Sequence, residues 1–272
     1  MAGIKLYDLN MQEINLRGVK WFEFTPDPPS VERVTEKVYN GDIVLGETRN
    51  SRTLEAKMWY TGHDAIDKKL LRDEITAALS PLKDFYVADE DLPGKRWRVK
   101  VDGFNPTPIN RTTAEVVVVF YCARGLAEST GTTLDPFTYD AGLWAYGMGL
   151  QEDAGLQDYI HSSNTFSIYN AGNEPVEPEE SELLIKLTSS TATASNIKLR
   201  NLTTNELWEY TGNFNAGDVI TIDRISVKRN STNIVGSTNL NLISLASGNN
   251  NFTIEGLTGA FEISFKFRYL YA

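Results

Sequence analysis

Cysteine occurs once in the 272 residues, at Cys122, so no internal disulfide framework can form. Cys122 sits inside the apolar run Val116–Ala123, where a buried, inert thiol is expected. That run is the longest in the chain and far short of the roughly 20 residues that span a bilayer, so no membrane insertion is expected. The first residues, Met1-Ala2-Gly3-Ile4-Lys5, show no basic region followed by an apolar one, and the expectation is a chain without a secretory signal that folds in a reducing cytoplasm. Histidine occurs twice, at His63 and His161, far apart and in no HExxH or Cys-His arrangement. A serine nucleophile would therefore lack its usual base, and no GxSxG elbow exists to present one. Gly147-Met148-Gly149 lacks the third glycine and the preceding strand of a dinucleotide fingerprint. No catalytic residue, cofactor site or metal site is expected.

Lysine and arginine are absent between Arg124 and Lys186, a stretch holding eleven of the acidic residues of a chain whose net charge is −10. The remainder is close to neutral, so no basic footprint for tight nucleic-acid binding exists. Asp135, Asp140, Glu152, Asp153 and Asp158 are candidates for an acidic surface facing a channel or a basic partner. Asp89-Glu90-Asp91 lacks the spaced oxygen ligands of a calcium loop and reads as a solvated hairpin tip. Glu174–Glu182, interleaved with Pro175 and Pro178, reads as a stiff charged segment between strands.

What is present is mainly β pattern. Arg52–Tyr60 and Arg96–Phe104 alternate with a period of two, and Thr113–Tyr121 is a β-branched run suited to a central strand. Phe85-Tyr86-Val87 and Trp97-Arg98-Val99 flank a polar turn and predict a hairpin. Asp64–Leu79 instead predicts one helix, with Ile66, Leu70, Ile75 and Leu79 close to one face and Pro81 as its stop. Beyond Gly125 the chain turns small, polar and acidic, and residues 131–163 are expected to connect two domains, 1–130 and 164–272. The last segment holds short candidate strands at 165–170, 182–188, 197–201, 206–210, 219–223, 225–228, 240–245, 251–254 and 261–271, separated by Asn-, Gly- and Thr-rich turns. That spacing is the mark of a β-sandwich. In the final strand Phe261, Ile263, Phe265, Phe267, Tyr269 and Tyr271 share one face, which should be core. The fold class expected is mainly β: an α+β N-terminal domain with one helix packed on sheets, then a sandwich.

The order of strand Arg52-Thr53-Leu54-Glu55-Ala56-Lys57-Met58-Trp59, helix with Leu70-Leu71-Arg72, acidic-tipped hairpin and long strand resembles the distal tail proteins of long-tailed bacteriophages, particularly those infecting Gram-positive hosts. Phe166–Gly172, Ile197–Thr204, Gly217–Asp223 and Ser247–Asn251 resemble that family's galectin-like C-terminal domain. The resemblance implies a virion structural protein at the tail tip, made in the bacterial host cytoplasm. It implies a homohexameric ring built by the first domain, with the tail tube protein, the baseplate hub and receptor-binding proteins as partners. Two rival readings come from the residues. A sugar-binding sandwich could stack a ring on Trp208 or Tyr210, although alternation in their strand suits burial equally. A carbohydrate-active enzyme could use Asp218 and Asp223, but five residues along a strand put them on opposite sides.

Overall fold

The computed structural model describes residues 3–138, 142–150 and 158–272. The chain forms two compact units, Met1–Glu128 and Ser129–Tyr271. The first unit contains β1 (Ile4–Tyr7), β2 (Val19–Pro26), β3 (Val31–Val38), β4 (Gly41–Arg49), β5 (Arg52–Thr61), α1 (Ala65–Ala78), β6 (Phe85–Asp89), β7 (Lys95–Pro108) and β8 (Thr113–Cys122), with the short β9 (Ala127–Ser129) at its end. Its main sheet runs in the order β1-β6-β7-β8-β5-β2. The β-branched run at 113–122 does lie centrally: Ala114, Val116, Val118, Phe120 and Cys122 point into the core in strict alternation. β8 pairs with β5 over ten residues, from Arg52 opposite Cys122 to Thr61 opposite Thr113. β7 is long enough to serve two partners, β6 through Phe85–Val99 and β8 through Lys100–Tyr121 onward, with a bulge between Val101 and Gly103. A bulge bends its strand and increases the local twist, and the two ends of the path, β1 and β2, come into contact. The sheet therefore curls around a core of Leu6, Leu54, Met58, Phe85, Val87 and Phe120.

α1 covers this core. Asp64 caps it, its Oδ1 accepting from the backbone N–H groups of Ile66 and Asp67 at 2.8 Å each. Those bonds hold the Asp64 carboxyl below its ordinary range. The helix phase differs from the sequence expectation. Leu71, Ile75 and Leu79 form the buried stripe, whereas Ile66 is 71% and Leu70 57% exposed. Leu71, Ile75 and Leu79 recur every four residues and so bury three aliphatic side chains on one face, and the exposed contacts of Arg17 with Asp67 at 3.0 Å and of Lys68 Nζ with the Asn110 carbonyl at 2.8 Å accompany that phase.

Arg96 and Glu128 form an enclosed ion pair in this unit. Arg96 on β7 donates from Nε and Nη2 to Glu128 Oε1 at 2.8 and 2.6 Å, and its guanidinium lies 3.9 Å from the centroid of the Tyr86 ring.

The second unit is a sandwich. Its strands are β10 (Ile160–His161), β11 (Thr165–Asn170), β12 (Leu183–Ser189), β13 (Ile197–Asn201), β14 (Glu206–Tyr210), β15 (Val219–Asp223), β16 (Ser226–Arg229), β17 (Thr232–Asn233), β18 (Gly248–Glu255), β19 (Phe261–Phe267) and β20 (Leu270–Tyr271). One sheet runs β10-β19-β12-β15-β16-β17 and the other β11-β18-β13-β14. Ile185, Leu187, Ile220, Ile222 and Ile263 from the first meet Ile197, Leu199, Trp208 and Ile254 from the second. The aromatic face of the final segment is buried throughout, as the alternation predicts, although the strand itself breaks between Phe267 and Leu270. Residues 240–245 form no strand; Asn239 and Asn241 instead donate their side-chain amides to the Leu207 carbonyl at 2.8 and 3.0 Å. The stretch expected as a connector contributes the buried Trp144, Met148, Thr132 and Thr133 to this unit.

Two polar networks are enclosed here. Asn250 Nδ2 donates to the Ala246 carbonyl at 2.8 Å and its Oδ1 accepts from the Ala246 N–H at 2.9 Å and from Asn201 Nδ2 at 3.2 Å. The Tyr159 hydroxyl donates to the Tyr169 carbonyl at 2.8 Å and lies 2.6 Å from the Tyr269 hydroxyl, while Tyr271 donates to the Met148 carbonyl at 2.8 Å. Burial pushes all three phenols well above their ordinary range.

Glu128→Ala leaves the Arg96 guanidinium buried without its carboxylate and should destabilise the first unit by about 3–5 kcal/mol in urea unfolding. The tyrosines give a pH dependence of known sign. Their pKa values are raised on folding, so the stability they contribute is complete below the unfolded value of about 10 and is lost as pH climbs beyond it. Alkaline titration of absorbance at 295 nm should show these phenols ionising only together with loss of the sandwich's near-UV circular dichroism; ionisation while that signal persists would contradict the buried network.

Candidate assembly surface

The β3–β4 hairpin was not read from the sequence. It forms a two-stranded sheet of its own, separate from the main sheet, with β3 and β4 paired from Val31–Arg49 to Val38–Gly41. Tyr39 and Asn40 make the turn, and Gly41 takes a φ of +109°, a backbone conformation open to glycine and strained for L side chains. Every residue of β3 is exposed, and so is every residue of β4 except Arg49. A two-stranded ribbon alone is marginal in water, yet this one carries Val31, Val34, Val38, Tyr39, Ile43, Val44 and Leu45 in the open.

Residues opposite each other across an antiparallel pair point to the same face. Val34 faces Gly46, Glu36 faces Ile43 and Val38 faces Gly41, so one face shows Val34, Val38 and Ile43 with Glu32 and Glu36. The two glycines add no side chains beside the valines. The other face carries Arg33 and Glu47, joined at 2.7 Å, Lys37 and Asp42 opposite each other, and Val31, Val44 and Arg49. Uncompensated acidic groups thus stand on the Val34–Val38–Ile43 face, whereas the other face mixes two valines with groups of both charges.

A second exposed apolar feature is the outer ridge of α1, where Ile66 and Leu70 lie one turn apart beside the exposed Lys69. Asp73 also lies on this ridge, paired with Arg72 at 2.9 Å.

The residues singled out from sequence fall elsewhere. Trp208 and Tyr210 are each 2% exposed, with near-parallel rings 6.4 Å apart. Their alternation places both toward the core, so neither offers a face to a sugar. Asp135 accepts from the N–H and hydroxyl of Thr132 at 2.7 and 2.8 Å. Burial alone would raise its carboxyl, but these bonds with Arg268 and Lys266 nearby hold it low; it is a turn-forming group with basic neighbours in its own unit. Asp158 accepts from the Ile160 N–H at 3.0 Å. Asp140, Glu152 and Asp153 lie outside the described residues. Asp218 binds the turn at Asn215 and Asn230, and Asp223 lies beside Arg224 at 3.7 Å, so the two carboxylates form no shared site. His63 donates its backbone N–H to Asp67, and the His161 ring stacks on Phe166 at 4.8 Å. Cys122 is buried, and burial pushes its thiol up, which leaves it unreactive. Among the described residues no group of three or more His, Cys, Asp or Glu side chains could hold a metal ion.

Residues 9–122 match a family model described as the phage tail protein RIFT-related domain. That match spans most of the amino-terminal unit, from β2 through β8. No curated protein sequence matches the chain. Over its full length the fold is that of the Dit protein (gp 19.1) of phage SPP1, with a TM-score of 0.68 at 13% identity, covering 98% of this chain and 99% of that one. That protein is described as a paradigm of the hub adsorption apparatus in Gram-positive-infecting phages. A chain of the phage p2 baseplate in its activated conformation aligns over 98% of both chains at 8% identity with a TM-score of 0.46. The chain is thus similar to a phage tail domain over residues 9–122 and shares the fold of the SPP1 Dit protein along its length.

The helix phase can be tested directly. Leu71→Ala should cost about 2–5 kcal/mol, as truncation of a core leucine does, while Leu70→Ala should stay within about 0.5 kcal/mol. Equal losses in chemical denaturation would contradict the assignment of Leu70 to the surface.

Proposed function

We propose that this chain is a virion structural protein, a distal tail protein that closes with five further copies into a ring joining the tail tube to the baseplate hub and the host-adsorption apparatus. The first unit builds the ring and the second, a sandwich of galectin-like type, decorates its periphery. The protein is made in the bacterial host cytoplasm and carried at the tail tip, and the reading assigns it no catalytic step and no cofactor. The observation that carries the reading is the exposed β3–β4 hairpin within the segment, residues 9–122, that matches a phage tail domain. An apolar two-stranded ribbon without cover in its own chain is what a subunit contact leaves behind when the subunit is viewed alone. The fold shared with SPP1 Dit along the whole chain supports the same assignment.

Native mass spectrometry of concentrated protein should give six times the 30.4 kDa chain, and antibodies to the chain should label purified particles at the far end of the tail. Val34→Lys with Ile43→Lys should reduce the assembly to single chains while unfolding changes by no more than about 0.5 kcal/mol per exposed site. Label confined to the head or to the length of the tube would overturn the assignment.

A further inference from the structure

We propose that the hairpin of one copy seats its Val34–Val38–Ile43 face on the Ile66–Leu70 ridge of α1 in the next copy, with Glu32 and Glu36 set against Lys69. The proposal rests on the ring reading and names the two surfaces that would make the ring. Both are apolar, both are uncovered in the chain that carries them, and their charges are opposite. Among the described residues, Glu32, Glu36 and Lys69 have no hydrogen-bond or ion-pair partner within the chain. The charged groups that do have partners lie beside them: Arg33 with Glu47 on the hairpin's other face, and Arg72 with Asp73 on α1. The unspent charge is therefore acidic on the hairpin and basic on the helix.

Position along the chain favours a second copy over the same one. β4 ends at Arg49 and β5 begins at Arg52, so the hairpin leaves from the start of β5; α1 begins at Ala65, just beyond its end at Thr61. Ten residues of strand separate the two departure points by roughly 33 Å. Val34 and Val38 lie about 13 Å apart along β3, enough to reach across the roughly 6 Å between Ile66 and Leu70 on α1. Donor and acceptor are different patches of one chain, which makes the contact head-to-tail, and a head-to-tail contact that closes is a ring.

Full-length Val34→Cys and Leu70→Cys chains, mixed and treated with a short bis-maleimide cross-linker, test the contact; the native Cys122 is buried and out of its reach. The expected result is a cross-linked dimer in the mixture and none in either variant alone. Charge reversal gives an independent reading on ring dissociation. Glu36→Lys and Lys69→Glu should each weaken assembly about two- to fivefold, and the two together should restore it. A preparation with ring mass but no mixture-specific cross-link, or with equal cross-linking of Val34→Cys to itself, overturns the hairpin-on-helix contact and leaves the ring reading standing. A preparation that holds to the mass of one chain at every concentration overturns both.

Discussion

The ten-residue antiparallel register between β5 and β8 is the constraint on which the first unit turns. Because side chains alternate along a strand, a slip of one residue would carry Leu54, Ala56, Met58 and Tyr60 out to solvent and bring Glu55, Lys57 and Trp59 in. That register holds everything attached to β5. The hairpin leaves one end of it, the helix leaves the other, and β2 and β8 flank it. Two features that look unrelated in sequence, an exposed ribbon and an exposed helical ridge, thereby become two ends of one rigid strut.

Burial is used differently in the two units. The sandwich encloses paired polar groups, the Asn201–Asn250 amides and the Tyr159–Tyr269 hydroxyls, although Trp208 Nε1 and His161 Nε2 are buried without a hydrogen-bond partner among the described residues. An enclosed amide or phenol left without partners costs more than a satisfied one contributes, so such groups fix the loops that serve them. The first unit encloses the Arg96–Glu128 ion pair and leaves a run of apolar groups outside on its β3–β4 hairpin. Leaving Val34, Ile43, Ile66 and Leu70 in water is unfavourable for the single chain and favourable for an assembly that covers them.

Much of the architecture was legible because it rests on local periodicity. The β5 and β8 strands, the β6–β7 hairpin, the limits of α1, and the aromatic face of the last segment all follow from alternation, turn residues and a stop at Pro81. Burial of Trp208 and Tyr210 was one of two readings their alternation allowed. The β3–β4 hairpin was missed because a strand exposed on both faces mixes charged and apolar residues without the contrast that marks a half-buried strand. Residues 240–245 were misread in the opposite sense: Ile243 and Leu245 are buried, but the segment pairs only through an isolated bridge from Leu245 to Val176, and the Ser244 N–H donates to the Glu206 carboxylate.

The amino-acid sequence by itself determined the class of fold, the absence of a disulfide framework, and the order of elements that resembles a phage distal tail protein, since these depend on composition and on contacts between near neighbours. Only the tertiary structure decided which apolar side chains are core and which are surface. On α1 both the Leu71 stripe and the Leu70 ridge are apolar, and a period of 3.6 residues cannot show which of the two packs against strands that come together only in the fold.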